Sequence, residues 1–175
     1  MSLITWARRE ELARLRALVE PAAGVRVLDV GGGVGAVADV IARGAGEVVV
    51  LEPNAGRVRE GRSRFPGLRF ENGQGEKIPF PDLRFERVLA IRSFHHLERA
   101  EDFLAETLRV LVPGGRLVIE EISPRSLMAR FFQLMHHGHL EFRDQPGLRK
   151  FLEDAGFREV TVEPYRRWYF AVARK

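Results

Sequence analysis

The chain has 175 residues, 45% of them hydrophobic, which suits one globular domain with a buried core and leaves no room for a second. There is no cysteine, so disulfides, thiolate metal sites and thiol nucleophiles are excluded. A net charge of +4, spread without a dense basic block, does not indicate a nucleic-acid partner. No apolar run approaches twenty residues and no charged-then-apolar leader opens the chain, so we expect no membrane span and a cytoplasmic protein.

In chain order, residues Ser2 to Glu20 place Leu12, Leu15, Leu18 and Val19 on one face, with Ser2 or Thr5 as cap and Pro21 as stop. This predicts an amphipathic helix that either covers a site, with Trp6 against the ligand, or packs on a sheet. Val25 to Val30 is a short β-branched run, hence a buried strand, and it leads into Gly31, Gly32, Gly33 and Gly35. Apolar residues from Val34 to about Arg43 recur at helical spacing, so the unit reads strand, glycine turn, helix. The free N–H groups of such a helix start would welcome a carboxylate or phosphate. Two cofactors compete for this turn. Gly31-x-Gly33-x-x-Ala36, with Glu52 about twenty residues on, satisfies the dinucleotide fingerprint. Asp29, at the strand tip, suits a cation better than a pyrophosphate, and the ammonium of S-adenosylmethionine is such a group.

Glu47 to Leu51 is a second strand ending in Glu52-Pro53-Asn54. The two oxygens of Glu52 can accept from both ribose hydroxyls; the plainer alternative is that Glu52 caps the helix running from Asn54 to about Phe65. Leu68 to Asn72 is a third strand, and the glycines and prolines from Gly73 to Asp82 make a loop. Phe85 to Ile91 is a fourth, leading into Arg92-Ser93-Phe94-His95-His96. A helix follows over Glu101 to Leu111, then a Pro113-Gly114-Gly115 turn and a fifth strand from Arg116 to Ile122. Five alternations of strand and helix predict an α/β fold with a doubly wound parallel sheet, whose ligands gather at the carboxyl ends of the strands. Asp29, Glu52, Gln74 and His95 all fall there.

Four stretches, in order, resemble the class I S-adenosylmethionine-dependent methyltransferases of the small-molecule group that includes the ubiquinone and menaquinone biosynthesis enzymes. They are Val27-Leu28-Asp29-Val30-Gly31-Gly32-Gly33-Val34-Gly35, Gly73 to Asp82, Phe85 to Leu97, and Leu108 to Leu117. The resemblance implies a Rossmann-like seven-stranded sheet, mostly parallel with the last strand antiparallel. It further implies S-adenosyl-L-methionine held by Asp29, Gly31, Gly33 and Gly35 at its methionine end, by Glu52 and Pro53 at the ribose, and by Gln74, Gly75 and Glu76 at the adenine edge, with Ile91 and Arg92 beside them. One departure stands out: the family's Asp and Ala in the adenine loop are Gln74 and Gly75 here. His95 and His96 sit where the family often has a His pair, so they are the candidates for a general base, although methyl transfer often needs alignment alone.

Ser126 to His137 carries more apolar residues than one helix face requires. In the family such a segment covers the acceptor pocket, which gives Trp6, Phe94, His95, Phe131 and His136 as acceptor contacts; packing of 127–140 on a second copy in a homodimer is the competing reading. His136, His137, His139 and Glu141 have the residue types of a metal site, but adjacent histidines point to different sides of a helix, and we expect no metal. A helix over Pro146 to Ala155 and a hairpin of Glu159–Glu163 and Trp168–Ala173 complete the chain. We therefore expect one methyltransferase domain over 1–175, made of a cover helix (1–20), a cofactor core (21–123), lid helices (124–156) and a hairpin (157–175). Its expected activity is in-line methyl transfer to a small apolar or aromatic acceptor. The Asn-Pro-Pro-Tyr signature of base-amino methyltransferases is absent after the fourth strand, which counts against DNA. A non-catalytic S-adenosylmethionine binder and an NAD(P)-dependent oxidoreductase are the alternatives.

Overall fold

The computed structural model describes residues 8–127, 129, 131, 134 and 142–175. Its elements are α1 (Arg9–Val19), β1 (Arg26–Val30), α2 (Ala38–Ile41), β2 (Glu47–Glu52), α3 (Ala55–Arg64), β3 (Arg69–Asn72), β4 (Phe85–Ile91), a 3-10 turn (Phe94–His96), α4 (Ala100–Val110), β5 (Leu111–Ile122), α5 (Gln145–Asp154), β6 (Arg158–Tyr165) and β7 (Trp168–Arg174). The strands form one seven-stranded sheet in the order β3-β2-β1-β4-β5-β7-β6. β1 to β5 pair in parallel, and β7 runs antiparallel to both β5 and β6, as the resemblance implies. The order reverses between β1 and β4, so their carboxyl ends open a crevice where a ligand can sit.

Strand alternation sorts the core onto two faces. Leu28, Val30, Val88, Ala90, Leu117 and Ile119 pack under α4 and α5. Val27, Leu89, Ile91 and Val118 face the other way, against Leu12, Leu15 and Val19 of α1. Burying each of those three side chains stabilises the helix on the sheet by about 1.5–3 kcal/mol. Over its described length, then, α1 is a packing helix; Trp6 lies outside the described residues.

Two elements differ from the sequence reading. The helix expected from Val34 is a single turn, Ala38–Ile41. Gly31, Gly33 and Gly35 all take left-handed backbone, with φ of +70°, +60° and +83°, so the chain turns repeatedly before it can coil. A ligand placed above the turn would therefore meet turn amides and not a long helix start. β5 begins five residues early: Leu111 pairs with Phe85 and Arg116 with Arg87, and Pro113-Gly114-Gly115 bulges out between them.

Candidate active site

At the crevice between β1 and β4 lies a cavity of about 520 Å³. Of the expected cofactor contacts, Gly31, Glu52, Pro53, Gln74, Gly75, Glu76 and Arg92 line it, together with Val30, Arg57, Ser93, His96, Leu97 and Glu98, which were not singled out as such. Asp29, Gly33, Gly35 and Ile91 do not reach its wall.

The glycine turn is shaped by what lies behind it. A Cβ on Gly31 would stand 2.6 Å from the Cβ of Ser93, whose hydroxyl donates to the Val30 carbonyl at 2.6 Å and ties the end of β4 to that of β1. A Cβ on Gly32 would meet the Asp29 carboxylate at 2.2 Å, so Asp29 lies directly beneath the turn. Gly35 faces Phe70 and Leu68 on the far side, where the missing side chain permits close packing.

Two carboxylates dominate the β1–β2 side. Glu52 is 2% exposed; it accepts from the amides of Gly33 (3.0 Å) and Asn54 (3.1 Å), with Arg57 at 3.7 Å as its ion-pair partner. The helix cap is Asn54, which accepts from Gly56 and Arg57, so Glu52 is left for another use. Asp29 is 1% exposed and neither of its oxygens has a hydrogen-bond partner. Burial, and secondarily the nearby Glu52 charge, push its carboxyl up to about 7. A buried carboxylate pair without a buried cation is costly, and binding of a cationic group would relieve it.

The adenine-loop residues stand opposite. Gln74 is exposed at the rim, and Glu76 accepts from the Glu98 amide at 2.9 Å. Gly75 is buried, and a Cβ there would stand 2.9 Å from Val30 and 3.1 Å from both Leu97 and Phe103. The departure from the family's Ala thus has a packing reason.

The β4–β5 side is internally compensated. Arg92, in left-handed backbone with φ of +58°, turns its guanidinium to Glu11 (2.8 Å) and Glu120 (3.2 Å) and lies 3.7 Å over the Trp168 ring. Arg8 joins them, bonded to Glu11 and, at 2.9 Å, to Glu120. The Arg92 guanidinium is therefore committed to α1 and β5, although its residue touches the cavity. His95 is bonded through Nδ1 to Glu121 at 2.8 Å, and Phe94 is packed edge-on against Phe103 and Phe151. His96 is exposed at the cavity wall. Glu120 and Glu121 were missed by sequence reasoning, yet a signal existed: two acids inside an otherwise apolar strand must find partners to be buried there. Phe131 is 57% exposed, and His136 lies outside the described residues. No helix among the described residues is long and apolar enough to cross a membrane.

A glycine turn and two acids at the switch point of a sheet ordered 3-2-1-4-5-7-6 define a Rossmann-like nucleotide-cofactor fold. The methyltransferase domain family matches residues 28–119, and the chain belongs to the class I S-adenosylmethionine-dependent methyltransferases. It is 34% identical over 152 residues to a demethylmenaquinone methyltransferase of Tropheryma whipplei, covering 84% of this chain and 61% of that protein, so it spans about three fifths of that relative's length. It is 30% identical over 171 residues to the ubiquinone/menaquinone biosynthesis C-methyltransferase UbiE of Stutzerimonas stutzeri, covering 79% and 67%. A putative methyltransferase from Bacillus halodurans superposes with a TM-score of 0.79 at 21% identity, covering 95% and 99%, which shows the shared fold.

Proposed function

We propose that this chain transfers the methyl group of S-adenosylmethionine to a small aromatic acceptor of the quinol class. The observation that carries the reading is the unpartnered Asp29 carboxylate beneath a turn that admits no side chain, beside a cavity walled by Glu52 and the Gln74–Glu76 loop. A ligand that fits must bring a cation to the turn, hydroxyls to Glu52 and a flat polar edge to the loop. S-adenosylmethionine has all three, whereas a dinucleotide would bring a pyrophosphate to a negatively charged turn.

Bound there, S-adenosylmethionine supplies a methyl carbon made electrophilic by its sulfonium. Asp29 favours the ammonium end, and Glu52, held in place by the Gly33 and Asn54 amides, accepts from the ribose hydroxyls. The side-chain oxygen of Gln74 accepts from the adenine amine. Alignment of the acceptor along the line of the breaking bond is the chain's main contribution to rate. The acceptor class rests on the relatives, named for demethylmenaquinone and for ubiquinone and menaquinone biosynthesis. An apolar acceptor also suits the segment after β5, where Ala129 packs on Ile122 and Trp168 while Leu127, Phe131 and Leu134 stay exposed.

Calorimetry with S-adenosylmethionine, S-adenosylhomocysteine and NADH tests the cofactor: heat with the first two and none with NADH is expected. Labelled methyl should then appear in a reduced short-chain demethylmenaquinone. Binding without transfer to that quinol or to an amine panel would favour a non-catalytic binder, and no binding by folded protein would end the reading.

A further inference from the structure

Glu121 is a carboxylate the cofactor site does not use. It is 2% exposed, on the face of β5 opposite Glu120. One oxygen accepts from the Ile122 amide at 2.6 Å and meets His95 Nδ1 at 2.8 Å, and the other is buried without a hydrogen-bond partner. An ionised carboxylate can only accept, so the hydrogen of a neutral His95 ring sits on Nδ1, and Nε2 is left as a proton acceptor. The ring is fixed further by His96, 4.2 Å away between centroids, and by Phe142 at 5.2 Å. His95 lines a second cavity, of about 130 Å³, with Phe94, Glu101 and Arg143. Leu97 and Glu98 line this cavity and the larger one alike, so the two adjoin.

We propose that Glu121 is a positioning residue that holds His95 ready to take a proton, and that the small cavity receives the hydroxyl of a phenolic acceptor. This rests on the methyltransferase reading above and deepens it: the acceptor must be one that has to lose a proton to become nucleophilic. The O–H bond breaks, the proton goes to His95 Nε2 and the electron pair stays on the phenolate. The ring carbon beside the phenolate then bonds to the methyl carbon while the sulfur keeps the electron pair of the bond it loses. The ring C–H gives up its proton as aromaticity returns, the oxygen takes back the proton from His95, and one proton per turnover leaves for solvent. Besides Glu121, His96 stands against the ring, and the charged groups that line the same cavity are Glu98, Glu101 and Arg143.

The test compares His95→Asn, whose amide can keep the bond to Glu121 while Nε2 is lost, with the isosteric Glu121→Gln. S-adenosylhomocysteine affinity should stay within about twofold of wild type in both, while kcat with the reduced short-chain quinol falls about a hundredfold in the first and about tenfold in the second. Removing the carboxylate disfavours the imidazolium, so the acid limb of the kcat–pH profile should move to lower pH in Glu121→Gln. Wild-type kcat in His95→Asn, or an unmoved acid limb, would overturn the proposal. If wild type binds cofactor but does not methylate this quinol, the acceptor reading falls separately. The ring nitrogen resonances of His95 then decide: a proton on Nδ1, with Nε2 responding to added phenol, supports the assignment, and a proton on Nε2 refutes it.

Discussion

The two halves of the sheet's carboxyl edge bury the same kind of group and treat it in opposite ways. At the ends of β1 and β2, Asp29 and Glu52 are almost wholly buried, and Glu52 has as its ion-pair partner the exposed Arg57. At the end of β5, Glu120 and Glu121 are as deeply buried, but Glu120 meets Arg8 and Arg92 and Glu121 meets His95. Burial dominates at Glu120 and holds its carboxyl up at about 7, with Arg92 and Arg8 pulling against the rise. No such cation opposes the rise of Asp29. One half uses its acids to fasten α1 and the 3-10 turn to the sheet. The other leaves a negative potential standing where a cationic ligand can satisfy it.

Breaking the compensated half should have the largest effect. Arg92→Met leaves Glu11 and Glu120 with Arg8 alone, and removing one partner of a buried ionic network costs about 3–5 kcal/mol. The loss should be greatest at alkaline pH, where Glu120 is charged, and shrink as pH falls through about 7 and its carboxyl takes up a proton; urea unfolding at pH 8.5 and pH 5 measures it. In the uncompensated half the sign reverses. A carboxyl raised from 3.8 to about 7 destabilises the fold as pH climbs through that window, and the penalty is complete above it. Asp29→Asn should therefore stabilise the protein by roughly 1–3 kcal/mol at pH 8 and do nothing near pH 4, while weakening S-adenosylmethionine binding at pH 8 about a hundredfold. In wild type the same proton competes with the ligand's cation, so affinity should fall up to tenfold per unit as pH drops below about 7. A destabilised Asp29→Asn protein at pH 8 would show that the charge is satisfied by something other than a ligand.

The same contrast explains what could be read in the sequence. The glycine turn, Glu52 and the adenine loop are contiguous words whose residue types follow from local geometry: left-handed backbone at Gly31, no room above Asp29 at Gly32. The strands themselves were legible as well, because alternation and β-branching mark each one. The other half is made of pairs that are distant in the chain, His95 with Glu121 26 residues away, Glu11 with Arg92 81 away, Arg8 with Glu120 112 away. No periodicity links such residues; only the sheet register, which sets Ile91 beside Glu120, brings them together. The short α2 was hidden for a different reason: helical spacing is visible in a sequence, whereas three left-handed glycines that delay the coil are settled by what they must avoid.

The smallest expected effect lies at the rim of the open half, at Gln74. A charged acceptor makes a hydrogen bond roughly twice as strong as a neutral one, so Gln74→Asp should tighten S-adenosylmethionine binding about three- to tenfold, less whatever repulsion Glu52 and Glu76 impose. Because that repulsion is screened by salt, the gain should grow between 0.05 and 0.5 M salt in calorimetry. Adding Gly75→Ala, to restore the family's pair in full, should cancel the gain, since the new methyl group meets Val30, Leu97 and Phe103 inside van der Waals distance. If the double variant binds more tightly than Gln74→Asp alone, the wall behind this loop yields to a side chain, and Gly75 is not there for want of space.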